Sequence, residues 1–380
     1  MSHYYSFDKF TLDNFSSLFL TNKGNTIPKN DIPAMFNERV LYLYEYLNGL
    51  KCQSMLIEKK YIDKDYLIDN QEFYIRCFSN YDKYCKRIHF FSDEILNIEQ
   101  ILKSAKEFRQ DSTKVYYDNL QKSYLGFIVI KPLNQKYVGK TCLKNYGIEG
   151  GIRNFLAVRD YTVNLFGIDF IVNSLAFQEQ DTTVSSCATI SLWSAFQKTS
   201  KMFGHFLPSP SEITKIATKN YLSFDRIFPT YGLTLEQILD AIRQIGLTYE
   251  ILNLNQNINY KEYIGTIYAY LKMKLPIILA TNIDNTNYHH TLTITGYRLN
   301  DSPKFDFKID NDITLVPEII TKLYVHDDQV GPFCRADIMT DKDKNYPLSI
   351  DIPKRNPRYY IPLYLIYHYI LKYEIILKQY

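Results

Sequence analysis

A chain of 380 residues, 46% hydrophobic and 22% charged, has the balance of a folded globular protein of two or three domains and not that of a disordered one. Its 44 basic and 41 acidic side chains leave a net charge of +3, without the basic surplus that marks a nucleic-acid binder. The six cysteines, Cys52, Cys77, Cys85, Cys142, Cys187 and Cys334, are scattered and include no C-x-x-C pair, so neither a zinc ribbon nor a disulfide framework is indicated.

Residues 1–10 lack a basic region followed by an apolar stretch, so no signal peptide is expected, and a reducing, cytoplasmic location follows. The 34 tyrosines, with frequent Lys, Asn and Ile, read as biased genomic composition of a bacterial kind. In chain order, Asp31 is expected to cap a helix that Pro33 opens and Gly49 ends. Residues 55–63, 72–77 and 87–91 read as strands. Ile95, Ile98, Ile101, Leu102 and Ala105 recur at helical spacing, and residues 124–130 form a further strand that Pro132 closes. Gly139-Lys140-Thr141 has the look of a phosphate loop, but Asn134 stands where that loop needs its first glycine. Residues 1–165 are therefore expected to form an α+β domain without an assigned role.

The next stretch is better punctuated. Residues 168–177 read as a strand running into Gln178-Glu179-Gln180-Asp181, and residues 186–198 as a helix. Ser209 or Ser211 caps another. Thr234 caps a third, residues 235–245, which Gly246 ends. A fourth covers residues 260–274. Strands are expected over residues 276–281, 291–297 and 323–325. Residues 341–380 form an apolar extension. Residues 359–377 are strongly apolar but contain Pro362, His368, Lys372 and Glu374, which favours a packed terminal element over a membrane span.

Four side chains along this stretch suggest one chemistry. Cys187 follows small polar residues and opens an apolar helical pattern, so its thiol sits at a helix N-terminus, where unpaired N–H groups and the helix dipole favour an anion. Taken alone, a buried structural cysteine is the commoner case. Gln180, seven residues earlier, offers an amide that with the Cys187 N–H could hold an oxyanion; Gln178 is the alternate. His290 opens a β-branched strand and can act as general base; His289 points to the opposite strand face, so one of the two serves. Asp327 can accept from the far nitrogen of His290 and fix its tautomer, with Asp328 as its rival by one residue of register.

The order Gln, Cys, His, Asp is similar to that of papain-like cysteine peptidases. The strand from His290 to Gly296-Tyr297 resembles the His-to-Gly-Tyr strand of papain, and residues 232–246 resemble a helix segment of the bacterial peptidases that trim double-glycine leader peptides. The resemblance spans about residues 166–340. It implies an α+β papain-like domain, with the nucleophile helix first and an antiparallel β part bearing His and Asp after it. It also implies Cys187 as nucleophile, His290 as base, Asp327 as its orienter and Gln180 as oxyanion donor, acting without cofactor on an amide bond of a protein or peptide. The sequence departs from the pattern in its Gln-to-Cys spacing, in Ala188 after the cysteine and in an insertion over residues 299–322. Three other readings remain: acyl transfer or deamidation on the same site, a metal site among His289, His290, His326, Asp328 and Cys334, and a binding module that has kept the scaffold.

Overall fold

The computed structural model describes residues 4–20, 38–94, 113–133, 137–181, 183–221, 227–228, 232–254, 259–301, 316–339, 346–353 and 355–369. It is a mixed α/β structure that divides into two units by internal contacts. The first comprises residues 1–146, 159–181 and 329–331, and the second residues 147–158, 182–328 and 332–380. These bounds differ from breaks at residues 165 and 340, because both units take segments from either side of residue 165 and the second runs on through residue 340.

The first unit is built on an antiparallel sheet in which chain neighbours pair in order: β1 (Tyr5–Lys9), β2 (Ser54–Tyr61), β3 (Cys85–Phe91), β4 (Tyr124–Ile130) and β5 (Val138–Leu143). Strand β4 is buried along its whole length, which explains its unbroken apolar run. Gly126 in β4 has φ +118°, and a Cβ there would meet the Cys142 carbonyl oxygen at 2.0 Å. Only glycine fits this close, irregular approach of two strands. Helices α1 (Leu12–Leu20), α2 (Glu38–Gly49), α3 (Lys64–Glu72) and α4 (Thr113–Ser123) join the strands. The expected helix opening at Asp31 and Pro33, and the helical pattern from Ile95 to Ala105, lie outside the described residues; Gly49 does end α2.

Residues 72–77 are not a strand. Asp63 caps α3 by accepting from the Tyr66 N–H, the helix runs to Glu72, and a 3-10 turn over Tyr74–Arg76 follows. The β-propensity of Phe73, Tyr74 and Ile75 is overridden by the turn that leaves α3. Tyr74 turns inward and donates to Asp181 Oδ2 at 2.6 Å.

A hairpin of β7 (Arg159–Leu165) and β8 (Ile168–Ser174) completes this unit. Both central turn residues, Phe166 and Gly167, have positive φ, as a two-residue hairpin turn requires. The strand expected over residues 168–177 thus ends as β8 at Ser174, then resumes as an isolated bridge from Phe177 to Thr141. Beyond it the fully buried Glu179 pairs with buried Arg39 and accepts from the Val138 N–H at 3.1 Å.

Among the described residues the second unit has four α-helices: α5 (Cys187–Phe203), α6 (Pro210–Thr218), α7 (Leu235–Gln244) and α8 (Tyr260–Lys272). Ser209, not Ser211, caps α6, in a full capping box with Glu212; Thr234 does the same for α7 with Gln237. Gly246, with φ 90°, follows the end of α7.

The strands of this unit are β6 (Arg153–Phe155), β9 (Thr248–Asn253), β10 (Ile277–Ile283), β11 (His289–Leu299), β12 (Ile320–Asp327), β13 (Gly331–Ile338), β14 (Leu348–Ile350) and β15 (Arg358–Tyr369). Strands β10 to β15 pair in sequence, and β15 pairs back onto β10, closing a six-strand barrel; β6 and β9 add to β11 and β15. Closure leaves no free edge among the six. The stretch expected as a terminal extension therefore supplies two barrel strands, β14 and β15, while residues 370–380 lie outside the described ones. No helix among the described residues is long and apolar enough to cross a membrane.

His368 on β15 is fully buried against Phe196, and neither ring nitrogen has a hydrogen-bond partner. Burial, with some help from the charge of His205, holds its pKa down at about 3. The unfolded chain therefore takes up a proton below about pH 6.5 that the folded chain refuses, so stability falls as pH drops from there towards 3. Replacing it, His368→Phe, is expected to flatten the dependence of urea-unfolding free energy on pH between about 6.5 and 4. An unchanged slope would show that this histidine does not govern acid stability.

Candidate active site

Helix α5 starts at Cys187 because Ser186 adopts an extended N-cap conformation, with φ −98° and ψ 175°. The Ser186 hydroxyl does not cap the helix. It meets Thr189 Oγ1 at 3.2 Å, Thr189 meets Thr214 Oγ1 at 3.2 Å, and Thr214 donates to the Val184 carbonyl at 2.7 Å. This hydroxyl chain ties the segment before Cys187 to α6. Residues 188–199 of α5 are all buried. The helix is fastened to β11 by two bonds, from Ser191 Oγ to the Thr291 carbonyl at 3.1 Å and from Thr293 Oγ1 to the Ser191 carbonyl at 3.3 Å. The first residue of a rigid helix is thereby held beside the start of β11.

His290 occupies that start. It is 1% exposed, whereas His289 points outward, so the alternation along β11 selects His290. Its Nε2 lies 3.0 Å from Asp327 Oδ1 and 3.5 Å from Asp328 Oδ1. The Cys187 thiol is a hydrogen-bonding neighbour of the same ring. Cys187 is only partly buried, and its Sγ also lies 3.9 Å from Thr291 Oγ1. The nucleophile candidate is thus reachable from solvent, while the histidine and both acids are enclosed.

Two opposing influences set the protonation of His290. Burial alone acts to lower its pKa. The charge of Asp327, its hydrogen bond, the bond with Cys187 and the charge of Asp328 together outweigh burial and hold it well above the ordinary value. For Asp327 burial acts upward, but the charge and hydrogen bond of His290, the hydrogen bond of Tyr360 and the charge of Arg358 bring it down to about 2. Both shifts favour an imidazolium facing a carboxylate in this pair.

Of the residues picked out in the sequence, Cys187, His290, Asp327 and Asp328 come together in the second unit. Of the two acids, Asp327 makes the shorter bond. Gln178 and Gln180 fall in the first unit, Gln178 buried and Gln180 partly so. The metal-site alternative gathers poorly: His289 is exposed, and His326 Nδ1 accepts from the Phe333 N–H at 3.1 Å. Among the described residues, the one cluster of metal-ligand types is His290 with Asp327 and Asp328, within 4.8 Å of one another. There the His290 and Asp327 atoms already bond each other, and Asp327 also accepts from Tyr360.

Sequence reasoning missed Tyr360 and Arg358. The Tyr360 hydroxyl donates to Asp327 Oδ2, and Arg358 Nη1 lies 3.4 Å from that hydroxyl. No local pattern marks them, because they reach the site only through the pairing of β15 with β10, in which Tyr360 opposes Ile283. No family model matches the chain, and no curated protein matches it.

Proposed function

We propose that this protein is a cysteine peptidase of the papain-like type, cleaving an amide bond of a protein or peptide. The observation that carries the reading is the line Cys187–His290–Asp327: a partly exposed thiol on the first turn of α5, a buried imidazole beside it, and a buried carboxylate on the ring's Nε2. The order of a nucleophile helix followed by further helices and an antiparallel barrel bearing His and Asp also supports it.

In this mechanism the Cys187 sulfur attacks the amide carbon, and the carbonyl electrons move onto oxygen. As that intermediate collapses, the C–N bond breaks and the His290 imidazolium gives its proton to the departing amine. A thioester remains. Neutral His290 then takes a proton from water, whose oxygen attacks the thioester carbon; the C–S bond breaks, a carboxylic acid leaves and the thiolate and imidazolium are restored. Asp327 keeps the ring oriented and steadies its charge in both halves. The resemblance assigns Gln180 and the Cys187 N–H as oxyanion donors. Accordingly, Gln180→Ala is expected to lower kcat about 10²-fold with a smaller change in KM. An unchanged kcat would remove Gln180 from the mechanism.

Terminal profiling tests the reading. The protein is incubated with a peptide library that includes sequences ending in Gly-Gly, and new amino termini are identified by mass spectrometry. New termini formed by the wild type and absent with Cys187→Ala support a peptidase. Products that carry an added amine in place of water point to acyl transfer. Identical profiles for the two proteins contradict both.

A further inference from the structure

Two buried carboxylates face one histidine nitrogen here, and something must decide which of them serves. Asp327 and Asp328 are adjacent at the end of β12, with Oδ1 atoms 3.0 and 3.5 Å from His290 Nε2. They are 0% and 3% exposed. Two like charges this close and this dry disfavour each other, so the donors that face each acid decide which is the better partner of the ring. A carboxyl group can also turn about its terminal torsion, which is broad.

Tyr360 breaks the symmetry. Its side chain is fully buried, and its hydroxyl donates to Asp327 Oδ2 while His290 holds Oδ1. Each oxygen of Asp327 thus has its own donor. The backbone that carries the phenol is paired to both neighbours, Tyr360 to Ile283 of β10 and to Leu348 of β14. On β10, Thr281 in turn pairs with His290 of β11, so adjacent barrel strands fix both donors around one carboxylate. Among the described residues, the charged and titratable groups around His290 are Cys187 from α5, Asp327 at the end of β12, Asp328 just after it, and Tyr360 and Arg358 from β15.

We propose that Tyr360 is a positioning residue of this site: by clamping the outer oxygen of Asp327 it makes Asp327, and not Asp328, the charged partner of His290. A hydroxyl bonded to a carboxylate favours the ionised form of the acid it touches, so Asp327 is the carboxylate held charged against the His290 ring. Tyr360 itself stays neutral, because burial and the Asp327 charge hold its pKa far above the ordinary range. The inference rests on the peptidase reading only for its consequence in catalysis. The geometry concerns the His290 pair alone.

The test is a ring titration of His290 by NMR in histidine-labelled Cys187→Ala protein, which needs no hydrolytic activity. With Tyr360 present, Asp327→Asn is expected to lower the His290 titration midpoint by at least about one pH unit more than Asp328→Asn does. Adding Tyr360→Phe is expected to shrink that difference to less than about half. A difference that survives Tyr360→Phe unchanged would overturn the proposal, and so would a larger effect of Asp328→Asn in the presence of Tyr360. That second comparison stands even if Tyr360→Phe fails to fold. A Cys187 without hydrolytic activity would sink the peptidase reading and leave these titrations as they are.

Discussion

Cys187→Ala is expected to lower amide hydrolysis about 10⁴-fold or more while leaving the fold intact. The loss follows from removing the only group placed to form the thioester. No other described cysteine can stand in for it. Cys52, Cys85, Cys142 and Cys334 are buried, and burial pushes the thiols of Cys52 and Cys142 up to about 12 and raises that of Cys85 further. Cys77 is partly exposed, but burial raises its thiol too. The fold is expected to tolerate the change because Cys187 is a partly exposed first helical residue and alanine is the best helix former. Hydrolysis of a peptide amide and the thermal midpoint, measured together, check this. Residual hydrolysis within about tenfold of wild type, against the loss expected for a nucleophile, would show that Cys187 is not the attacking group.

His290→Ala is expected to cost both activity and stability, which separates it from the cysteine variant. Activity falls by about 10²–10⁴-fold as the proton donor and acceptor is lost. Stability falls as well, by about 3–5 kcal/mol, the typical cost of removing one partner from a buried ion pair. Asp327 and Asp328 would be left facing each other, buried and without the imidazolium. The pH dependence has a definite sign. His290 titrates above its ordinary value in the folded protein, so its stabilising contribution is complete below about pH 6.5 and is lost as pH rises through the raised value. The Asp327 end of the pair behaves oppositely: its contribution is present above the ordinary carboxylate value of 3.8 and is lost as pH falls through about 2. These describe one interaction seen from two partners and do not add. Urea unfolding of wild type and His290→Ala across pH gives the difference directly. A constant, small difference would mean that the pair contributes little.

The sequence was most legible where a single local signal decides the structure. The caps at Ser209 and Thr234, the glycine after α7 and the buried run of β4 all stand as local chemistry dictates. The helix beginning at Cys187 and the strand bearing His290 were also readable, because small polar residues precede the one and β-branched residues fill the other. The choice between Asp327 and Asp328 was open, since it depends on barrel register. Tyr360 was invisible for the same reason: a tyrosine in an apolar run shows nothing of a pairing with Ile283 some 80 positions earlier. The misread segment, residues 72–77, failed because the chain leaves α3 at Glu72 and takes residues of strand-like type through a 3-10 turn.

The central claim is that Cys187 and His290 act as one activated pair. The most direct test is the rate of iodoacetamide alkylation at each cysteine, mapped by peptide mass spectrometry from pH 4 to pH 9, in wild type and His290→Ala. The pair predicts that Cys187 reacts fastest, that its rate holds well below the pH of about 8.5 where a free thiol is half ionised, and that His290→Ala removes this acid-side reactivity. A Cys187 that reacts no faster than Cys77, and whose pH profile is the same with and without His290, would contradict the account.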